Sequence, residues 1–305
     1  MDGNSLDSHA RLGEKEGTSM NRFLLPLLAL VTTASAIDLQ GDFKGPLGLQ
    51  LYSLRETFKT NPTSAFDRTK ALGFQYAEVY AAIPLPPEKI KAELESRGVT
   101  PVGMHFGYED LKKDLPGAVQ KAQSLGLKYA GVAWIPHEIG NFGEADVKKA
   151  AADFETFGEA FKAAGIQFFY HTHGYEFRPV SEGASETFFD HLVQQTKPDH
   201  VAFEMDVFWV YLPGVDPAQL LAKYPDRWAL MHLKDMRKGA VRGVFTGKAP
   251  LTDDVPVGTG QIDWPAVLKQ AAAAGVKYYF IEDESPTVVE ALPHSIKYLE
   301  KIKFR

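Results

Sequence analysis

The stretch KAAGIQFFYHTHGYEF, residues 162–177, contains one complete unit of the pattern that decides the fold of this chain. It starts at the end of an amphipathic segment, passes through Gly165, and continues as an apolar run that ends at His171 and His173. Glycine just beyond a helix accepts the left-handed backbone conformation that closes the last turn. The stretch therefore predicts the end of a helix, a glycine stop and a buried strand with polar side chains at its carboxyl end.

The same unit recurs from residue 46 onward. Glycine stands between a helical segment and the next strand at Gly73, Gly98, Gly126, Gly165 and Gly275. The eight predicted strands lie in GLQLYS (48–53), YAEVYA (76–81), PVGMHFG (101–107), YAGVAWI (129–135), QFFYHTH (167–173), VAFEMDV (201–207), ALMHLKD (229–235) and YYFIEDE (278–284). Eight βα units in about 260 residues predict an α/β fold, a single (β/α)8 TIM barrel over residues 46–305. The competing architecture is a doubly wound open sheet, but no GxGxxG motif follows the first strand.

Composition narrows the classes of function. The chain has 305 residues and a net charge of −6, which does not suggest a surface for nucleic acid. It contains no cysteine, so disulfides, zinc–thiolate sites and thiol nucleophiles are excluded.

The segment MNRFLLPLLALVTTASA, residues 20–36, predicts a secretory signal peptide. Arg22 supplies the positive charge, residues 23–31 the apolar core, and Ala34 to Ala36 a cleavage signal of small residues. The core is too short to span a membrane as a helix. We therefore expect residues 1–36 to be a leader that is removed, and the mature chain to be a periplasmic or secreted protein without a membrane attachment.

Polar residues repeat at the carboxyl ends of the last four predicted strands. Residues two apart share a face of a strand, so each pair points in one direction. The pairs are His171 and His173, Glu204 and Asp206, His232 and Lys234, and Glu282 and Glu284. A barrel brings these strand ends together around one axis, and imidazole with carboxylate suits Mn²⁺, Zn²⁺, Co²⁺ or Fe²⁺.

Each of these residues also has an ordinary structural explanation. A single histidine on a strand is more often a hydrogen-bonded polar residue than a ligand, and Asp206 could simply cap the turn that follows it. The joint occurrence at equivalent ends of consecutive strands favours a common site over separate explanations. His137, just past the fourth strand, stays ambiguous.

Two further features are expected at the mouth of the barrel. The seventh strand is followed by a long connection, residues 236–262, which we interpret as a lid. Aromatic side chains suited to stacking on a sugar are Tyr52, Phe106, Trp134 and Trp209, each of which could equally be plain barrel lining.

At this point the chain resembles the sugar phosphate isomerase/epimerase family, the xylose-isomerase-like TIM barrels, over roughly residues 46–303. The similarity is carried by the order and spacing of several short motifs. These are GLQLYSLRE, GMHFGYEDL, FFYHTHGYEF, FEMDVFWV, MHLKDM, VGTGQIDWPAVL and YYFIEDES.

The resemblance implies one divalent metal, with Mn²⁺ favoured, held by residues from successive strand ends. By position the ligands fall on Asp206, His232 and Glu282, and the family's first glutamate falls on His171. The chain departs from the family there, so His171 is the expected fourth ligand and Glu176 the alternative.

This departure bears on the reaction. Epimerases of the family commonly use two metal-bound carboxylates on opposite faces of the substrate, and His171 replaces one of them. We therefore predict a metal-dependent enzyme that removes a proton next to a carbonyl of an unphosphorylated sugar, in the manner of an isomerase or epimerase. The alternatives are a lyase or hydratase of 3-keto-glycosides and a sugar-binding barrel without catalysis. The nuclease branch is disfavoured because Trp209 stands where that branch has a histidine.

The remaining roles follow from these placements. Glu176 is interpreted as the catalytic base, Lys234 as the group that stabilises the enolate oxygen, and His105 as a proton shuttle or hydroxyl ligand. The residues assigned to substrate contact are His173, Glu78, Gln50, Trp209 and Glu284. The expected partner is a small carbohydrate, with no nucleic acid and no membrane, and the oligomeric state is left open.

Overall fold

Eight parallel strands close into a barrel in this computed structural model, which describes residues 35–304. In chain order the strands are β1 (Leu47–Gln50), β2 (Tyr76–Tyr80), β3 (Thr100–Phe106), β4 (Tyr129–Val132), β5 (Gln167–His171), β6 (Val201–Asp206), β7 (Trp228–Leu233), β8 (Asp235–Met236), β9 (Asp254–Val255) and β10 (Tyr278–Ile281). All except β8 and β9 belong to the barrel, and β10 returns to β1 with Tyr279 opposite Leu47. The predicted (β/α)8 barrel is confirmed, and the open sheet is wrong because this last pairing closes the ring.

Helices cover the outside of the barrel. Within residues 35–304 they are α1 (Arg55–Thr60), α2 (Pro62–Ala71), α3 (Pro87–Glu95), α4 (Tyr108–Lys113), α5 (Leu115–Leu125), α6 (Glu144–Ala163), α7 (Phe188–Gln194), α8 (Val207–Tyr211), α9 (Pro217–Lys223), α10 (Trp264–Ala273) and α11 (Val288–Leu299). Three of these helices begin with a side-chain cap and have a proline at the first or second position. The caps are Asn61, Asp114 and Asp263, and each accepts a hydrogen bond from a backbone N–H of the first turn. The five predicted glycine stops all have positive φ, between +70° and +87°.

The barrel interior is built in layers, because alternate side chains of each strand point inward. The lowest layer is apolar and includes Phe169, Ala202, Leu230 and Phe280. Two residues further along the same strands comes a buried polar layer of His171, Glu204, His232 and Glu282. The apolar floor excludes water from below, so the polar layer can be reached only from the carboxyl ends of the strands.

The long connection after β7 covers part of the barrel mouth. Its two ends are tied together by β8 and β9, which pair antiparallel. Asp235 fixes the last part of this connection. Its Oδ2 accepts hydrogen bonds from the backbone N–H groups of Gly258 (2.8 Å) and Gly260 (3.0 Å). Between these anchors Gly247, Lys248 and neighbouring residues line the central cavity. The segment predicted to be a lid therefore forms one wall of that cavity.

The predicted leader lies almost wholly outside the described part of the chain, which begins at residue 35. From there, Ile37 donates its backbone N–H to the carbonyl of Gly73. Among residues 35–304 no helix has the length and apolar character needed to cross a membrane.

Candidate metal centre

Four side chains from successive strand ends converge at the top of the polar layer: His171, Asp206, His232 and Glu282. Oδ2 of Asp206 lies 3.8 Å from Nε2 of His171 and 3.8 Å from Nδ1 of His232. Oε2 of Glu282 lies 3.3 Å from the same Nδ1 of His232. Three of the four, Asp206, His232 and Glu282, present ligand atoms that all lie within 4.8 Å of one another.

Asp206 shows why this group fits a cation. Its Oδ1 accepts the N–H of Trp209 and caps α8, so the structural explanation considered for this residue is correct for one oxygen. Its Oδ2 is buried and has no hydrogen-bond partner among the described residues. A buried carboxylate oxygen without a donor costs free energy, and a bound cation removes that cost. Two imidazole nitrogens and two carboxylates form a donor set suited to Zn²⁺ or Mn²⁺.

The surroundings shift the pKa of each of these groups. Burial alone would lower the pKa of His232, but Glu204, Glu282 and Glu78 outweigh it and raise that pKa well above its usual range, so a cation has to displace this proton. Burial lowers the pKa of His171 to about 4, so its imidazole is neutral at neutral pH, as a ligand must be. Burial raises the pKa of Asp206 to about 7, and the negative charge of Glu282 adds to the effect. Burial alone would also raise the pKa of Glu282, but Lys234 and His232 outweigh it and hold that pKa well below its usual range.

Two buried carboxylates lie beneath the histidines. Glu204 accepts hydrogen bonds at Oε2 from Nδ1 of His171 (3.0 Å) and Nε2 of His105 (2.8 Å). Glu78 accepts at Oε2 from Nε2 of His232 (2.6 Å) and from the amide of Gln50 (2.6 Å). These contacts correct the assignment of Glu78 and Gln50 to substrate contact, because both side chains are fully buried under His232 and neither lines the cavity.

The site analysis from sequence did not assign a role to Glu204. The signal was present, since Glu204 stands two residues before Asp206 on one strand and shares its face. It could not be interpreted because the pattern does not say how deep in the barrel each residue lies.

A cavity of about 490 Å³ opens above the polar layer. Its polar lining comes from His105, His171, His173, Glu282 and Glu284. Its apolar walls include Tyr52, Phe106, Trp209 and Leu251. Trp134 does not line it: this ring stacks on His137 and lies 4.9 Å from Nζ of Lys248. Three of the four aromatic residues expected at the mouth are therefore on the cavity wall.

His173 has an unusual environment for a cavity residue. Its ring stacks on Trp209 with 4.6 Å between the centroids, and its Nδ1 is buried without a hydrogen-bond partner. Burial, together with the neighbouring His171 and Lys234, lowers its pKa well below the usual range for histidine. The side chain is therefore a neutral imidazole beside the candidate metal ligands.

Lys234 lies behind the site and not in the cavity. Its ammonium group is buried, donates to Oε2 of Glu282 at 3.3 Å, and makes a short contact with Oε1 of Glu284. It also lies 5.5 Å from the ring of Trp209. The expected contact with a substrate oxygen is corrected: Lys234 holds the two carboxylates in place.

Glu176 is also placed differently from the sequence interpretation. Its side chain is fully buried, and Oε1 accepts hydrogen bonds from the backbone N–H of His173 (2.7 Å) and the hydroxyl of Tyr170 (3.2 Å). It does not line the cavity, so its assignments as catalytic base and alternative fourth ligand are corrected. The geometry gives Glu176 the role of fixing the turn that carries His173.

Comparison with known proteins agrees with this architecture. Residues 66–302 match the model of the xylose isomerase-like TIM barrel family. The sequence is 23% identical to an inosose dehydratase of Lacticaseibacillus casei, over 75% of this chain and 84% of the relative. The structure is similar to a sugar phosphate isomerase/epimerase from Parabacteroides distasonis, with a TM-score of 0.71, 23% identity and coverage of 85% and 99%. It is also similar to the IolI protein with a bound zinc atom, with a TM-score of 0.64, 14% identity and coverage of 83% and 95%.

These findings confirm the resemblance and the expectation of an enzyme, since the relatives have the names of enzymes. At these identities the solved structures support the fold alone. The comparisons do not test which metal is bound or which residues bind it, and these assignments remain expectations.

Proposed function

The chain belongs to the xylose isomerase-like TIM barrel family, and from this premise we propose that it is a metal-dependent lyase that eliminates water or an alcohol from a keto sugar. The observation that supports this most directly is the convergence of His171, Asp206, His232 and Glu282, of which His171 and Glu282 also line the cavity. The dehydratase name of the sequence relative supports elimination over isomerisation.

We propose that those four residues hold one divalent cation, Mn²⁺ or Zn²⁺. A cation bound there supplies Lewis-acid polarisation of the substrate carbonyl, which acidifies the adjacent C–H group. The unpaired Oδ2 of Asp206 and the neutral imidazole of His171 are the features of the chain that support this assignment.

His173 is our proposed general base. It lines the cavity, lies next to His171 with 5.7 Å between the ring centroids, and is neutral. Because Nδ1 is buried, Nε2 is the nitrogen left to accept a proton from the carbon next to the carbonyl. Loss of the β-hydroxyl or β-alkoxyl group, which leaves with a proton as water or an alcohol, then gives an α,β-unsaturated ketone.

The cavity lining favours an unphosphorylated substrate. Of the described residues that line it, Lys248 alone is a lysine or arginine, and its side chain is exposed on the lid. Phosphate groups are usually bound by several cationic groups or backbone N–H donors. Glu284 and His105 can instead bind sugar hydroxyls, while Trp209 and Tyr52 offer faces for the C–H surfaces of a ring.

An isomerase or epimerase is the second candidate. It needs the same first proton transfer from the carbon next to the carbonyl. The two candidates differ in whether the proton returns to carbon or a β-substituent leaves. The replacement of a family carboxylate by His171 favours elimination, because the cation then has one carboxylate fewer to act as a second base.

The test uses the purified full chain loaded with Mn²⁺ or Zn²⁺. It is incubated in D₂O with an inosose or a 3-keto-glucoside and followed by NMR and ultraviolet absorbance. We expect formation of an unsaturated ketone that stops on chelation and recovers when metal is restored. Deuterium exchange with isomerised sugar as the product would support the second candidate, and binding without exchange or turnover would leave only a sugar-binding role.

Export is a separate proposal that depends on the signal-peptide pattern of residues 20–36. The full-length chain expressed in a bacterium is expected in the periplasm or medium with an amino terminus near Ile37. Recovery of the intact leader on cytoplasmic protein would contradict it.

A further inference from the structure

We propose that the group that leaves in the reaction is an apolar alcohol and not water, and that Tyr52 and Leu251 form the subsite that binds it. The inference rests on the proposed function, because it names the group that departs in the proposed elimination. It depends on how polar and apolar side chains are divided between the two halves of the cavity.

The candidate metal site lies against one half of the barrel. Its four residues come from, or directly follow, the strands β5, β6, β7 and β10, which are consecutive in the ring. The proposed base His173 and the carboxylate of Glu284 follow β5 and β10, so they line the cavity from the same half. The reacting carbons of a bound sugar must therefore lie on this side of the cavity.

The other half of the cavity is apolar. β1 lies across the ring of strands from β5, and β2 lies across from β6. The described lining residues from β1 to β4 and the loops after them are tyrosine, phenylalanine, alanine and glycine residues with one histidine. That histidine is His105, whose Nε2 donates to Glu204 in the layer below at 2.8 Å. A substrate with its sugar on the metal side would extend an apolar group into this half.

Tyr52 and Leu251 lie at the opening of the apolar half. Tyr52 follows β1 and Leu251 belongs to the lid; both line the cavity, yet they are 38% and 50% exposed. Arg55 holds Tyr52 in place, since its guanidinium lies 4.7 Å from the ring centroid and its Nη1 donates to the Tyr52 carbonyl at 3.2 Å. A ring that is already fixed loses little freedom when a ligand binds. Covering these two side chains would remove apolar surface from water.

The size of the cavity agrees with a substrate larger than one sugar. Its volume of about 490 Å³ is within the range of pockets that hold drug-sized ligands. If water were the leaving group, the apolar half would hold only solvent. An alkyl or aryl group attached through the leaving oxygen would fill it.

The chemical step is balanced without an oxidant or reductant. The C–H bond next to the carbonyl breaks, and its electron pair forms a C=C bond to the neighbouring carbon. The bond from that carbon to the glycosidic oxygen breaks, and the oxygen takes a proton and leaves as an alcohol.

The test compares the methyl and hexyl 3-keto-glucosides as substrates of the metal-loaded full chain. Their leaving alcohols have similar acidity, so a difference in kcat/KM reports contact with the alkyl chain and not the chemistry of departure. Formation of the unsaturated ketone is followed by ultraviolet absorbance, and the released alcohol by NMR. We expect kcat/KM to be at least about tenfold higher for the hexyl compound.

Substitutions then assign the subsite. Tyr52→Ala and Leu251→Ala should each lower the hexyl-to-methyl ratio at least about threefold, while Tyr52→Phe, which keeps the ring, should hold it within about twofold. The ratio cancels any general loss of folding or of metal. Val241→Ala is the matched control, because Val241 is on the same lid and 75% exposed but does not line the cavity. It should keep both rates and their ratio.

A ratio near one in the wild type would overturn the inference. So would a ratio that neither Tyr52→Ala nor Leu251→Ala lowers. If the wild type dehydrates an inosose but releases neither alcohol, the inference is overturned while the proposed lyase stands. If it acts on no keto sugar, both are overturned.

Discussion

At the scale of single residues, Glu176 is a buried carboxylate whose energetic cost depends on pH. Burial raises its pKa from 4.5 to about 7, against the opposing effect of backbone N–H groups. The folded protein therefore holds the proton more tightly than the unfolded chain. This stabilisation is complete below pH 4.5 and is lost as the pH rises through 7, a change of about 3 kcal/mol.

Glu176→Gln should remove this dependence. The amide oxygen can still accept from the N–H of His173 and from Tyr170, while the buried charge is gone. We expect thermal unfolding of the variant and the wild type to be similar at pH 5, with the variant more stable at pH 8.

Asp190→Asn is the control of opposite sign for this measurement. Burial alone would raise the pKa of Asp190, but Lys223 and Tyr224 outweigh it and lower that pKa. This variant should lose more stability at pH 8 than at low pH. A difference between Glu176→Gln and the wild type that stays constant from pH 5 to pH 8 would contradict the assignment.

Substitutions of His173 and Glu176, which lie in the same turn, distinguish the proposed general base from the residue that holds the turn in place. His173→Gln should lower kcat by roughly 10²- to 10⁴-fold, the usual contribution of a general base, while Zn²⁺ affinity is kept. Glu176→Gln should keep kcat within about tenfold, because its carboxyl group is outside the cavity. Rates on one keto sugar at saturating concentration measure both, and the reverse ranking would restore Glu176 as the base.

At the scale of elements, Gly247 allows the lid to pack closely against Trp134 and Tyr175. Gly247 has φ of +64°, and a Cβ placed there would lie 2.8 Å from Cζ3 of Trp134 and 3.0 Å from Cδ1 of Tyr175. Those rings lie under the lid, beside the turn that carries His173. Gly247 thus lets the lid backbone approach an aromatic surface that no larger residue could approach as closely.

Gly247→Ala should therefore displace the lid from its seat. We expect a stability loss of about 1–2 kcal/mol from backbone strain and a several-fold rise in KM, because Lys248 and Leu251 form part of the cavity wall. Steady-state kinetics and thermal unfolding measure the two effects.

Gly243→Ala is the matched control in the same connection. Gly243 also has positive φ, at +83°, but a Cβ there meets nothing within 4 Å. It should show the strain cost without the change in KM. An equal rise in KM for both variants would mean that backbone strain, and not the close packing of Gly247 against Trp134, determines the position of the lid.

Helix ends and the inward face of each strand could be predicted from the sequence, because neighbouring residues determine them. Glycine stops such as Gly165 and inward-facing pairs such as Glu204 and Asp206 follow from backbone conformation and strand alternation, and both appear in the structure. The short pair of β8 and β9 was not predicted. Two-residue strands have no periodicity, and this pair depends on Asp235 binding the backbone of Gly258 and Gly260 across the loop.

At the scale of the whole molecule, the register between neighbouring strands explains why some residues predicted to contact substrate, such as Glu78, lie below the cavity. Strand pairing places His171 level with Glu204, and His232 level with Asp206. Residues at similar distances from their strand ends therefore lie at different depths. Alternation shows that Glu78 and Glu204 point inward, but only the register shows that they lie below the cavity.

The charge balance of the closed barrel leads to a prediction for metal removal. Asp206 and Glu282 bring two carboxylates to a buried floor, and the Oδ2 of Asp206 has no donor among the described residues. A divalent cation held by these residues would bind the folded barrel and not the unfolded chain, where the residues are far apart in space. At a metal concentration 100 times Kd, binding should stabilise the fold by about 2.7 kcal/mol, which raises Tm by roughly 5–10 °C in a domain of this size.

Thermal unfolding of the chelated protein, with and without added Zn²⁺ or Mn²⁺, measures this shift. Asp206→Asn should abolish the shift, because the amide cannot supply the charge that the cation needs. Above pH 7 the same change should stabilise the metal-free protein, since it removes a buried carboxylate whose pKa is raised to about 7. The two opposite effects of one substitution are specific to a ligand. Loss of stability both with and without metal would instead show that Asp206 serves the fold only as the cap of α8.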